Sequence, residues 1–432
     1  MCTQNSNIAL ASAPSVDNLK DDRHPDDRYR IADILKLYLD DYITSDERKL
    51  SLKDKHFNAI NAILACRTDK LGIAICVCTS CGDSIEIKRS CKHRFCPQCG
   101  NADTNKWAQS TLQKIMNIKH HHIIVTLPKA FRKLSLMNGD KIHNALFSAA
   151  AKAVQKTFID KFNVKVGIVS VLHTAGADLK YHPHVHMIVS RGGKISDKEE
   201  YKTIHGNYLA PQREIAQLFK SIFCKQLAVL FNEDKIKVYK SIQSCQQFKR
   251  WMNQNHEKHW IVSIQKPLED IKQIVDYTGR YTKRACLSEF KIMQINPEIQ
   301  FKFNDYKNTP RGEKPRVALK TMNPVEFLDS LLLHVPNKGF KMVRYYGVYN
   351  ARLINDIPER LKGQQNQQII ADINMDELKE VWFDCPFKNL RMQLAKINLP
   401  DPLFCKYCNQ NKVLYMIKYK SKTILVYEEN TS

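Results

Sequence analysis

The stretch YHPHVHMIVS, residues 181–190, puts a histidine at every second position of a segment whose other residues suit a β-strand. Side chains alternate between the two faces of a strand, so His182, His184 and His186 share one face while Pro183, Val185 and Met187 share the other. Three neutral imidazoles on one face can converge on a divalent cation, and the apolar face can anchor the strand in a core. Pro183 cannot donate to a ladder, which places the start of the strand or a sheet edge there. A lone histidine would be read as a half-exposed residue; three at period two favour a metal site.

Outward from this strand, VKVGIVSVLH and the turn TAGAD complete a β-hairpin closed by RGG, so the sheet is at least partly antiparallel. HHIIVTLP, ended by Pro128, reads as another strand, and DKIHNALFSAAAKAVQKTFIDKF behind it as a long amphipathic helix. REIAQLFKSIFCKQLAVLF and LEDIKQIVDYTGRYTKRACL have helical periodicity, with the strand-like HWIVSIQKP between them. The expected fold class is α+β, a mostly antiparallel sheet flanked by helices over residues 113–300. Residues 28–112 form a helical and cysteine-bearing unit ahead of it. A mixed region, 301–432, follows, with a β-ribbon or loop in KFNDYKNTPRGEKPRVALK and a helix in PVEFLDSLLLHV. The polar residues 1–27 are expected to form a mobile tail. The sequence has no internal repeat and no phosphate-binding loop of the G-x-x-x-x-G-K-[ST] type.

Lys and Arg number 67 against 44 Asp and Glu, a formal net charge of +23. Such an excess attracts polyanions and gains from counterion release, so nucleic acid is the first partner to consider. No run approaches the ~18–20 apolar residues that span a bilayer, and the N-terminus lacks a basic start and a long apolar stretch; a cytoplasmic protein without membrane contact is expected.

Seven of the fourteen cysteines lie between Cys66 and Cys99, a distribution that metal binding explains better than a disulfide framework. Cys78 and Cys81 form one C-x-x-C and Cys96 and Cys99 another, with fourteen residues between the pairs, a spacing at which two knuckles can close one tetrahedral Zn²⁺ site. Four protein ligands leave no open position, so this zinc is structural. Gly82 and Gly100 follow the pairs, where tight turns call for positive φ. Cys66, Cys91 and His93 could make a second zinc site or support the first. Lys92 and Arg94, between the knuckles, offer a basic edge for phosphate contacts. Cys405 and Cys408 form half a site that Cys385 or His334 would complete, or an unliganded pair.

Tyr277 and Tyr281 are four residues apart on the expected helix and therefore neighbours on one face, at the edge of the stripe Leu268, Ile271, Ile274 and Val275. Alone they would be a packing pair. A tyrosine hydroxyl, with pKa about 10, is a poor nucleophile unless its electrophile is polarised, and a histidine-bound divalent ion would polarise a phosphoryl oxygen. Basic charge, a metal-binding strand and a helix tyrosine together describe a phosphodiester transesterification that leaves a covalent phosphotyrosine.

HPHVH followed by YTGRYTKR resembles the HUH single-strand endonucleases that carry two tyrosines. The order of motifs is similar to the IS91 family of rolling-circle insertion-sequence transposases: CTSCG and SCKHRFCPQCG precede IIVTLP, SVLHTAGADLKYHPHVH, DYTGRYTKR and LLLHVPNKGFKMVRYYG. The likeness runs from about Cys66 to Gly347, with an echo in CKYC. It implies an HUH-type sheet, a metal pair at His184 and His186, and nucleophiles at Tyr277 and Tyr281. His182 is then a third ligand or a group behind the ligands, and His122 another candidate. It further implies Mg²⁺ or Mn²⁺, single-stranded DNA cut at an element end, a 5′-phosphotyrosine and a free 3′-hydroxyl. In the leading reading Arg280, Lys283 and Arg284 steady the DNA backbone. Ala175, Phe95 and Lys283 depart from residues common in the family but spare the metal pair and both tyrosines. A plasmid or phage replication initiator would use the same chemistry with host proteins, and a zinc-ribbon DNA binder would use none of it. Double-stranded DNA at element ends and target is a further expected partner.

Overall fold

The computed structural model describes residues 28–205, 211–242, 244–256, 260–265, 286–306, 308–310, 313–362, 403–410, 412–419 and 422–425. The expected tail, 1–27, and the tyrosine helix lie outside the described residues, as does Cys385. In chain order come helices α1 (Ile31–Thr44) and α2 (Asp54–Ala65), strands β1 (Ile73–Val77) and β2 (Ser84–Lys88), helix α3 (Pro97–Leu112), strand β3 (His120–Thr126) and helix α4 (Lys129–Phe162). Strands β4 (Val164–Ala175), β5 (Tyr181–Ile195) and β6 (Tyr201–Thr203) precede helices α5 (Gln212–Asn232) and α6 (Cys245–His256) and strand β7 (Val262–Ile264). After these stand β8 (Ile292–Gln294), β9 (Ile299–Asp305), β10 (Arg316–Met322), helix α7 (Pro324–Leu332), β11 (Val343–Gly347), β12 (Val413–Tyr419) and β13 (Lys422–Leu425). The architecture is α+β. Among the described residues no helix is long and apolar enough to cross a membrane.

The central sheet runs β11-β4-β5-β3-β7, with β6 also paired to β5, and its pairings are antiparallel. Alternation makes this sheet two-faced. Val185, Met187 and Val189 of β5 and Ile123 and Val125 of β3 turn toward one side, where they are buried with Phe131, Phe147 and Phe158 of α4 and Phe219 and Phe223 of α5. Burying such apolar side chains contributes about 1.5–3 kcal/mol each and fixes the register, because a slip of one residue would send the histidines into that core. The histidine strand is therefore interior, paired on both sides, and not an edge. Pro183 is tolerated because it is the third residue of β5 and falls where the β4–β5 register slips between His173 and Ala175. The strand also continues through Arg191–Gly193 to Ile195 instead of closing there. Helix α4 starts at Lys129, earlier than the apolar periodicity suggested, and absorbs a non-helical residue at Gly139 (φ 23°, ψ −102°).

Segments beyond residue 300 contribute at three places. β11 pairs with β4 at the edge of the central sheet. Phe301 of β9 and Phe327 and Leu331 of α7 are buried with Ile31, Leu35 and Tyr42 of α1 and Ile60 of α2. β12 and β13 extend the β1–β2 hairpin into a four-stranded sheet, β13-β12-β1-β2.

At the end of β11, Gly347 adopts φ +61°, and a Cβ there would collide with the Val166 carbonyl and the Gln155 amide. Gly347→Ala is expected to cost at least about 1–3 kcal/mol from backbone strain alone. Urea denaturation would read it as a lower midpoint, and an unchanged midpoint would refute this account of the β11–β4 edge.

Candidate metal centre and nucleic-acid cleft

His184 and His186 lie on β5 opposite His173 and Val171 of β4. One ring nitrogen from each of His173, His184 and His186 lies within 4.8 Å of the others. The third member is thus His173 and not His182, which falls outside the group although its ring lines the same cavity. The reason is strand geometry. Same-face residues on one strand are separated by about 6.6 Å per step, so three in a row span roughly 13 Å, whereas a cross-strand neighbour is only ~4.5–5.5 Å away.

Burial favours the neutral imidazole at His184 and His186: it pushes the His184 pKa down to about 4 and that of His186 well below the ordinary 6.5. His184 Nδ1 lies 2.6 Å from the His182 carbonyl oxygen, which can only accept, so Nδ1 carries the proton and Nε2 presents its lone pair. A relay orders His186 in the same way. Gln265 Oε1 accepts from His122 Nδ1 at 2.9 Å, and His122 Nε2 then accepts from His186 Nδ1 at 2.9 Å, leaving His186 Nε2 for a metal. His122 is therefore a positioning residue behind the group. The donor set fits a divalent ion and would leave positions open to water or a substrate oxygen. Replacing Gln265 by Leu, or His122 by Ala, is expected to weaken Mn²⁺ binding about 10–100-fold, measured by metal titration; an unaltered affinity would remove the relay from consideration.

These histidines line a cavity of about 1320 Å³. Lys180, Lys291 and Lys341 also line it, with the aromatic rings of Phe290 and Tyr306, which are exposed. Asp178 and Asp305 are the acidic residues of this lining; Asp178 is paired with Lys180 at 2.9 Å. Positive charge interleaved with exposed rings is the surface on which a single strand can lay its backbone and stack its bases.

Arg94 is half-buried, and its guanidinium donates to the carbonyls of Phe340 (2.7 Å) and Asn337 (2.6 Å). It ties the cysteine unit to the loop before β11 and so stands at the cavity wall as a brace. Lys92 is exposed. Arg344 stacks over Phe147 (4.4 Å) and Phe340 (5.3 Å). Tyr277, Tyr281, Arg280, Lys283 and Arg284 lie outside the described residues, but Gln265 and Cys286, which bracket that segment, both line the cavity.

The cysteines divide differently from the expectation of one site at Cys78, Cys81, Cys96 and Cys99. Cys96 and Cys99 gather with Cys66 and Cys91. The Cys99 sulfur lies 3.6 Å from those of Cys66 and Cys91, close to the ~3.8 Å that tetrahedral geometry with ~2.3 Å Zn–S bonds requires. This cluster supports a structural zinc. His93 is not among its members; its Nδ1 accepts from the Phe95 amide at 3.2 Å. Cys78 and Cys81 instead occupy the tip of the β1–β2 hairpin. Five-residue strands at ~3.3 Å per residue separate tip from base by roughly 15 Å, so the two knuckles cannot share one ion. At the tip they meet Cys405 and Cys408; neither Cys385 nor His334 is needed, and His334 bonds Thr174 and Leu179. Gly82 has the expected positive φ, whereas Gly100 continues α3.

Two family models match the chain: one described as "Transposase zinc-binding domain" over residues 34–127, the other as "Putative transposase" over residues 167–356. A Sinorhizobium fredii protein named "Putative transposase y4qJ" is 28% identical over 328 residues, covering 74% of this chain and 80% of the relative. The "Transposase for insertion sequence element IS801" of Pseudomonas savastanoi pv. phaseolicola is 25% identical over 300 residues, 68% of this chain and 70% of that one. No solved structure matches. Zinc-binding and transposase stretches follow one another here in the order of the sequence motifs, and together these matches support an IS91-family transposase.

Proposed function

We propose that this transposase cleaves and rejoins single-stranded DNA at the ends of a rolling-circle insertion element through a phosphotyrosine on Tyr277 or Tyr281. The observation that carries this reading is the convergence of three things on one basic cavity: the His173–His184–His186 group, exposed aromatic rings, and both residues that bracket the tyrosine segment. A Mg²⁺ or Mn²⁺ ion held by the three histidines would supply Lewis-acid polarisation of the scissile phosphate. Lys180, Lys291 and Lys341 hold the backbone, and Phe290 and Tyr306 stack bases. A tyrosine oxygen bonds to phosphorus as the bond to the 3′ oxygen breaks; the phenolic proton is lost and the 3′ oxygen gains one. The products are a 5′-phosphotyrosine and a 3′-hydroxyl able to prime replication. The zinc-bearing N-terminal unit, with Lys92 on its surface, serves recognition of element ends. Arg280, Lys283 and Arg284 steady the strand beside the tyrosines.

Labelled single-stranded DNA carrying an element terminus, incubated with the protein and Mn²⁺ or Mg²⁺, should leave label on the protein in a denaturing gel. Tyr277→Phe or Tyr281→Phe should lose that adduct, whichever removes the attacking hydroxyl first, and the double variant should lose it entirely. Tight binding to true termini with no adduct would reduce the chain to a DNA-binding protein, and a double variant that still forms adduct would place the nucleophile elsewhere.

A further inference from the structure

The hairpin tip at Cys78–Asp83 and the turn at Cys405–Gln410 are built alike. In the first, the Cys78 amide donates to the Asp83 carbonyl (2.8 Å) and the Gly82 amide donates back to the Cys78 carbonyl (2.8 Å). In the second, the Cys405 amide donates to the Gln410 carbonyl (2.7 Å) and the Asn409 amide to the Cys405 carbonyl (2.9 Å). The residue after each second cysteine is left-handed, Gly82 at φ 75° and Asn409 at φ 56°, the two residue types that enter that region at least cost. Each turn is thus a C-x-x-C knuckle of the kind that aims two sulfurs at one point.

The two knuckles face one another. One sulfur from each of Cys78, Cys81, Cys405 and Cys408 lies within 4.8 Å of the others, and the Cys81 and Cys405 sulfurs are 3.5 Å apart. That separation is far beyond the ~2.05 Å of a disulfide and near the ~3.8 Å of two thiolates on one tetrahedral zinc. The surroundings join the same two segments. Lys412, 7% exposed, pairs with Asp83 at 2.7 Å, and the Ser80 hydroxyl bonds the Gln410 side chain. β12 pairs with β1 from Ile73↔Lys418 to Val77↔Val413 directly beside the knuckles.

We propose that Cys78, Cys81, Cys405 and Cys408 bind a second zinc ion in a closed four-thiolate site, distinct from the Cys66–Cys91–Cys96–Cys99 site, which clasps the C-terminal hairpin onto the N-terminal unit. The stretch matched as a zinc-binding domain, residues 34–127, contains only half of this ligand set. The other half arrives from more than 320 residues downstream, the separation of Cys81 from Cys405 being 324. Closing so long a loop costs chain entropy that the metal bonds offset. The clasp makes the zinc-bearing unit depend on two segments far apart in the sequence.

Zinc content of the full chain after exhaustive desalting should be two ions per molecule, falling to one in the Cys405→Ser/Cys408→Ser variant. One ion in the wild type, or equal content in both proteins, overturns the proposal. Thiol alkylation of the wild type, followed by mass spectrometry, tests the same point without a variant that must fold. Cys81 is exposed, as is Cys245, so protection at Cys81 reads the metal and not burial. Cys78, Cys81, Cys405 and Cys408 should be shielded together and become reactive together on chelation without reductant. Labelling of Cys405 and Cys408 in the zinc-loaded protein at the rate of Cys245, or only after reduction, refutes the site.

Discussion

His184→Ala/His186→Ala is expected to lower single-strand cleavage on the order of 10³-fold or more, while DNA affinity stays near wild type. The magnitude follows from what is removed. A Lewis acid at the scissile phosphate stabilises the transition state by several kcal/mol, and each ~1.4 kcal/mol is tenfold in rate. With two of the three ring nitrogens gone, His173 alone cannot hold an ion against water. Affinity should be spared because, in the proposed reading, Lys180, Lys291, Lys341 and the exposed rings that line the cavity, not the histidines, contact the strand. His173→Ala leaves two ligands and should weaken metal affinity first, so raising Mn²⁺ should restore part of its rate. His182→Ala, outside the group, should cost little. Single-turnover cleavage across a metal titration separates these cases. If the double variant cuts within a few-fold of wild type, the histidine group is not the metal centre; if His182→Ala is worse than His173→Ala, the third ligand has been assigned to the wrong strand.

That last contrast marks where the sequence stops being sufficient. Period-two histidines, the hairpin around TAGAD, the HHIIVTLP strand and the helices behind them are all local patterns, and each is found in the fold. The partner of His184 is not local. His173 stands in plain view in SVLHTAG, but only the β4–β5 register makes it face His184, and a bulge between His173 and Ala175 lies between the turn and that pairing. The cysteines teach the same lesson over a longer range. Fourteen residues between two C-x-x-C pairs suggest one site when counted along the chain, yet the β1–β2 hairpin spends those residues carrying one pair away from the other. His122 could be singled out as a buried strand histidine, but its role needed the position of Gln265, set by the β3–β7 edge. What single-sequence reading lacked in each case was a non-local pairing, which side-chain chemistry does not encode at any fixed spacing.

Stability should fall steeply as pH drops from about 6.5 toward 5. Burial pushes the pKa values of His120, His143 and His334 down from 6.5 to about 4 in the folded chain. Each ring is held as a neutral hydrogen-bonding group: His120 Nε2 meets the Tyr349 hydroxyl (2.7 Å), His143 Nε2 the Tyr181 hydroxyl (2.9 Å), and His334 lies 3.0 Å from both Thr174 Oγ1 and the Leu179 carbonyl. For a depressed folded pKa the contribution to stability is complete above the unfolded value and is lost as pH falls through the window between 6.5 and about 4, because only the unfolded chain binds the proton there. At pH 5 the loss is on the order of 2 kcal/mol for each imidazole, so three together approach the roughly 5–15 kcal/mol that holds a domain folded. Urea midpoints at pH 8, 7, 6 and 5 should be level down to about 6.5 and then fall. Acid also strips zinc from thiolates, with the same sign, so the discriminating arm is His334→Gln. It should be less stable at neutral pH yet lose less on acidification, with proton uptake on unfolding reduced by about one. If the variant and the wild type fall in parallel, the metal sites and not the buried imidazoles set the acid limit of the fold.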